Sequence, residues 1–198
     1  MDVADIVFVY GQLVAIMNPF TAVNNFLTIT EDMNRVEARS VLRKAIIVVL
    51  FLGLVFLLAG KAILEFYHLS LSALRFGGGI LLLYIAVDML SGAPKSRSVD
   101  SGELAVVPLA TPMIIGPGTM TLLIHLGTVK ALPVSITAFL LATLTITVAL
   151  YASNGIRRVL GASGVKAMAR FMSLIIAAVA AEMLHAAVAD WVTSILKG

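Results

Sequence analysis

The chain has 198 residues, of which 60% are hydrophobic and 13% charged, with a formal net charge of +3 and a mean hydropathy of +1.04. Soluble domains carry about a quarter charged residues, so this composition excludes a soluble core and predicts an all-α, multi-pass membrane protein. The absence of cysteine excludes disulfides, thiolate metal sites and cysteine nucleophiles.

The first apolar segment, 5–30, is uncharged from Ile6 to Thr30. Asp2 and Asp5 stand where a secretory signal would carry basic residues, and the run is longer than a signal's apolar core, so the segment is expected to be a retained transmembrane span. Asn18-Pro19 lies at its midpoint. A residue before proline is pushed from the α region toward β, an N-cap needs β-region dihedrals and Asn is a good cap, and proline suits the first helical position. The dipeptide therefore reads as a new helix start near the bilayer midplane. Asn18, Thr21, Asn25 and Thr28 follow at 3–4 spacing and are expected to line one face toward the bundle interior, with Asn24 off that stripe. The plain alternatives are a proline kink and interhelical hydrogen bonding.

The second segment, 41–64, is uncharged from Ala45 to Gly60, with Arg43, Lys44 and Lys61 able to snorkel at its ends. The third, 70–91, holds Gly77-Gly78-Gly79, read as close-packing residues, and Asp88 near its end. Ser91-Gly92-Ala93-Pro94 is the clearest linker, dividing a single transmembrane domain, 1–198, into 1–97 and 98–198.

The fourth segment, 104–129, contains Thr111-Pro112 and Gly116-Pro117, both readable as helix starts, the second at the midpoint of the uncharged run Leu104–Val129. Gly116 and Gly118 leave backbone bare beside the polar Thr119 and Thr121, and His125 is expected near the outer interface. In the fifth, 132–153, Thr143, Thr147 and Tyr151 form a stripe in which threonine bonding its own helix is the simplest reading. The sixth, 168–195, places Glu182 near mid-membrane, and intramembrane acids are candidates for proton coupling or gating by default, as is Asp88. Glu182-x-x-His185 lacks the second motif and extra glutamates of a di-metal bundle. No metal or cofactor is expected. No nucleophile–base pair or phosphate-binding glycine loop is present in the sequence, so no enzyme and no nucleic-acid partner is expected.

Three matches run in order between the halves: Asn18-Pro19-Phe20-Thr21 with Gly116-Pro117-Gly118-Thr119, Arg75-Phe76 with Arg170-Phe171, and Asp88-Met89-Leu90 with Glu182-Met183-Leu184. They point to a duplicated three-span unit. Because three is odd, the second copy enters from the other side, an inverted repeat as in many secondary transporters. Loops 31–44, 92–103 and 154–170 hold ten of the 14 Lys and Arg residues, which predicts that they are cytoplasmic and both termini outside. A rival topology, with the first and fourth segments as re-entrant hairpins, removes that bias. Two inverted half-helix starts meeting inside the membrane would present unpaired N–H groups and positive dipole ends, a site suited to a carboxylate. Candidate substrate-binding residues are Asn18, Thr21, Asn25, Gly116, Gly118 and Thr119, held by breaks at Pro19, Thr111, Pro112 and Pro117.

The segments MNPFTAVNNFLTIT, RFGGGILLLYIAVDML and VVPLATPMIIGPGTMT resemble the MarC family of small membrane proteins, which includes the SnatA-like amino acid transporters, across essentially the whole chain. Asn18, Pro19, Phe26 and Leu27 match the first family motif, while Thr21 and Asn24 stand where Gly and Pro are expected. Pro108, Leu109, Pro112, Gly116, Pro117 and Gly118 match the second. The resemblance implies transport of small neutral amino acids such as glycine and alanine in a cell membrane, with protons as a candidate coupling ion and a homo-oligomer as an option. The rivals are a pore for water or a small solute, and a structural membrane protein without transport.

Overall fold

The computed structural model describes residues 3–91 and 109–197, and the linker 92–103 with Pro108 lies outside them. Seven α-helices and one π-helical turn follow in order: α1 Val3–Met17, α2 Pro19–Ile29, α3 Arg35–Phe66, α4 Leu71–Ser91, the π turn Leu109–Ile114, α5 Pro117–Val129, α6 Leu132–Tyr151 and α7 Ser153–Lys197. Among the described residues, five segments are long and apolar enough to cross a bilayer, and α5 supplies a shorter apolar helix. The described part of the fourth expected span, from Leu109 on, is thus the π turn and α5.

Helix ends follow local chemistry. α3 begins at Arg35, six residues before the expected span start, because Asn34 and Glu37 form a capping box. The Asn34 side chain accepts from the N–H groups of Val36 and Glu37 at 2.9 and 3.0 Å, and the Glu37 carboxylate accepts from the Asn34 N–H at 2.9 Å. Most of the expected loop 31–44 is therefore helical. So is the expected loop 154–170, which forms the start of α7 up to and beyond a kink at Gly161, where φ is 68°. Glycine tolerates that left-handed conformation without steric cost.

Small residues bring the helices together. α4 and α7 pack antiparallel along their length: Gly79 faces Leu184 and the Ala180 carbonyl, and the Phe76 and Trp191 rings are 5.1 Å apart. α5 runs antiparallel to α4 and crosses α3. A Cβ on Gly127 would collide with the Leu57 carbonyl, and one on Gly78 with the Thr121 side chain. α6 packs on α1 and α3, with Phe139 filling the space over Gly53. The main core lies among α1, α2, α3, the π turn, α5 and α6, and a second, smaller cluster joins α4 to α7.

Polar contacts gather several helix ends on one face of the bundle. Lys130 pairs with Asp5 at 2.5 Å, and Arg75 with Asp190 at 2.7 Å. Ser72 also donates to Asp190, and Arg75 Nε to His125 Nδ1 at 3.2 Å. The start of α1, the start of α4, the end of α5 and the end of α7 therefore share a level, with His125 close to it.

Candidate functional site

Two helix breaks face each other across the core, with α2 packed against the π turn and α5 against α1. Their depths can be read from the ion pair Asp5–Lys130. Asn18 lies 13 residues along the chain from Asp5, and Pro117 lies 13 residues from Lys130. At 1.5 Å per residue each break is about 20 Å from that pair. The two breaks thus share one depth, as the sequence suggested, within a hydrocarbon core about 30 Å thick. Thr28, near the far end of the first uncharged run, is exposed.

The first break is narrow. Asn18 is 2% exposed and adopts φ 41°, ψ 87°, left-handed rather than the expected β-region cap. Asparagine tolerates this conformation better than most residues. Its N–H still bonds the Val14 carbonyl at 3.0 Å, and its own carbonyl accepts from Ala22 at 3.0 Å, so the chain turns within one residue instead of unwinding. The side chain is spent on structure: Oδ1 accepts from the Thr21 N–H at 3.1 Å, and Nδ2 donates to the Ala169 carbonyl of α7 at 3.4 Å. Proline has no N–H, so at most the Phe20 N–H remains in this first turn for a ligand. An open apolar groove beside the break is lined by Phe20, Ala152, Gly155, Ile156, Val159 and Leu160.

The expected polar stripe is only partly inward. The buried face of α2 is Pro19, Ala22, Val23 and Phe26. Thr21, Asn24 and Asn25 are half-buried beside it, while Thr28 is exposed and donates to the Asn24 carbonyl.

The second break is wider and less capped. The Leu109–Ile114 backbone is π-helical, with the Ile115 N–H reaching the Ala110 carbonyl at 2.9 Å. Thr111-Pro112 therefore lies inside a widened turn and does not start a helix. The new helix begins at Pro117, after the extended Gly116, and no side chain caps it. Met120 N–H bonds the Gly116 carbonyl at 2.9 Å, and the first-turn N–H groups of Gly118 and Thr119 have no side-chain acceptor among the described residues. Both residues are buried, and the Thr119 hydroxyl donates to the Ile114 carbonyl at 3.0 Å. Gly118 packs against Leu82 and Ile85 of α4.

Glu182 is not brought to the breaks. It is exposed on the outer face of α7, whereas Asp88 is half-buried on α4 and engaged in a polar contact. Thr147 bonds its own helix as expected, and so does Thr145, but Thr143, read in the sequence the same way as Thr147, is 2% exposed and its hydroxyl has no partner among the described residues.

The family model of MarC family integral membrane proteins matches residues 3–192. A UPF0056 membrane protein of Methanocaldococcus jannaschii is 32% identical, the alignment covering 93% of this chain and 96% of that one. The UPF0056 inner membrane protein YhgN of Escherichia coli is 32% identical over 90% of this chain and 93% of its own. The UPF0056 membrane protein YvbG of Bacillus subtilis is 31% identical over 91% and 92%. No solved structure matches the chain significantly.

Proposed function

The chain belongs to the MarC family of integral membrane proteins, and from that premise we propose that it is a secondary transporter of small neutral amino acids such as glycine and alanine. The observation that carries this reading is the uncapped start of α5. Two backbone N–H groups, at Gly118 and Thr119, sit at a buried helix N-terminus with no side-chain cap among the described residues. An unpaired donor in a low-dielectric core costs about 1–3 kcal/mol, so the site favours a carboxylate that pairs with both and meets the positive dipole end. Asn18 holds the opposite break in place, and Thr21 and Asn25 border the path past it.

An inverted repeat supports alternating access. Exchanging α1 and α2 for the π turn and α5, α3 for α6, and α4 for α7 maps the main contacts onto contacts, although the α1–α7 contact has no comparable counterpart between the described π turn and α4. α2 packs on α7 and α6, and α5 packs on α4 and α3. α2 touches the π turn, and α5 touches α1. The self-pairs α3–α6 and α4–α7 map onto themselves, and α4 and α7 are antiparallel, as inversion requires. Of the two membrane acids, Asp88 is the better placed to couple protons. It is half-buried and six residues, about 9 Å, beyond Leu82, which touches Gly118.

The test is exchange of radiolabelled alanine and glycine in proteoliposomes. Saturable exchange that competes with unlabelled substrate is expected. Gly116→Leu should abolish it, and Asp88→Asn should remove accumulation driven by a pH gradient while sparing exchange. Non-saturating flux without counterflow would identify a pore instead, and no flux of either kind would leave a structural role.

A further inference from the structure

We infer that the exposed face of α7 is a homodimer seam, in which Glu182 of one copy bonds His185 of a second copy and the reverse. α7 carries two stripes of the same period. Ser173, Ile176, Ala180, Met183 and Ala187 are buried, most of them in the cluster shared with α4. Phe171, Leu174, Ala178, Ala181, Val188 and Val192 are all exposed, and with His185 they keep an unbroken 3–4 alternation from 171 to 192. That is a seven-residue repeat with an alanine pair at its centre, the pattern of a left-handed helix–helix seam with close backbones.

Charge says what covers this face. Glu182 and His185 are exposed on it, and among the described residues neither makes a hydrogen bond or an ion pair. Asp190 marks the level of the Arg75 and His125 contacts. Glu182 is eight residues, about 12 Å, deeper and His185 about 7.5 Å deeper, where lipid offers neither of them a partner. Elsewhere on the exposed faces the spans present apolar side chains at this depth, such as Ile80, Leu83 and Leu140. An acid and a base three residues apart on one face are self-complementary. Two copies in the same membrane, related by a two-fold axis along its normal, place their α7 helices side by side and parallel. Glu182 and His185 of opposite copies are then offset by about 4.5 Å along the axis, within reach of both side chains, and the contact forms twice. The inference is independent of what the protein transports.

The chain has no cysteine, so single cysteines report cleanly. Ala178→Cys and Ala181→Cys are expected to cross-link between copies in native membranes on mild oxidation, while Leu58→Cys and Val148→Cys, on the exposed faces of α3 and α6, are not. Glu182→Ala and His185→Ala should each lower the cross-link yield, by about tenfold for the loss of roughly 1.4 kcal/mol. The exchange Glu182→His with His185→Glu should restore it. If the α7 cysteines cross-link no better than the α3 and α6 controls, or if the protein in nanodiscs has the mass of one copy, the seam is wrong. Cross-linking that persists undiminished in both alanine variants would equally overturn the charge pairing.

Discussion

Asn18 shows how much one residue can settle inside a membrane. Its dihedrals, cap and cross-helix bond are mutually dependent: the left-handed backbone turns Oδ1 toward the Thr21 N–H and Nδ2 toward Ala169. Asn18→Ala loses a cap worth about 1 kcal/mol and leaves a Cβ residue in a conformation costing roughly 1–2 kcal/mol more. Asn18→Gly loses the same side-chain bonds but keeps the backbone freely. Inside an ordinary helix alanine is more stabilising than glycine by about 1 kcal/mol. Here the order should invert, with the glycine variant melting higher in detergent than the alanine variant. An alanine variant as stable as the glycine one would show that position 18 is not held left-handed in the folded protein.

At the scale of elements, the breaks were readable and their detailed geometry was not. Proline at 19 and at 117 announces a helix start whatever surrounds it, so both starts stand where the sequence put them. The dihedral of Asn18 depends on Ala169, 151 residues away, which no local rule contains. Thr111-Pro112 misled because proline also fits a widened π turn, where the normal i−4 bond is already given up. The helical loops were missed for a related reason. Charge density was read as loop, yet Asn34 and Glu37 cap a helix that runs on through Arg35, Arg39 and Arg43. The inward turn of α2 was misjudged because polar spacing identifies a face but not its neighbours. Glycine contacts offer a test at this scale. Gly127→Ala drives a Cβ into the Leu57 carbonyl, a backbone atom that cannot rotate away, and should cost about 1–3 kcal/mol as overpacking does. Gly11 sits mid-helix in α1 with nothing within 4 Å of the added carbon, so Gly11→Ala should be neutral or gain up to about 1 kcal/mol. Apparent melting temperatures of the two variants in detergent should move in opposite directions. A neutral Gly127→Ala would mean that α3 and α5 do not approach as closely as described.

For the whole molecule, the outstanding choice is which face is cytoplasmic. The polar contacts put Asp5, Arg75, His125, Lys130 and Asp190 on one face. Arg35, Arg39, Arg43, Arg157, Arg158 and Lys166 belong to the opposite ends of α3 and α7. Because Lys and Arg accumulate on the cytoplasmic side, the Asp5–Lys130 face is expected to be outside. The re-entrant alternative would fold α2 back along α1. Instead α1 and α2 barely touch, and α2 packs on α6 and α7, which favours a first segment that continues across. Ser70→Cys and Ser194→Cys lie in exposed positions at the expected outer face, and the half-buried Ser40→Cys and the exposed Ser163→Cys at the inner one. An impermeant thiol reagent applied to intact cells should label the first pair at once, and the second pair only after the membrane is opened. The opposite pattern would turn the protein over, with both termini inside, and would reverse the side from which each broken helix opens. Labelling of Ser40→Cys together with Ser194→Cys from outside, with Ser70→Cys protected, would restore the re-entrant hairpin, because only then does the start of α3 share a side with the start of α1. Neither result would alter the shared depth of the two breaks, which rests on the Asp5–Lys130 pair and two equal lengths of chain.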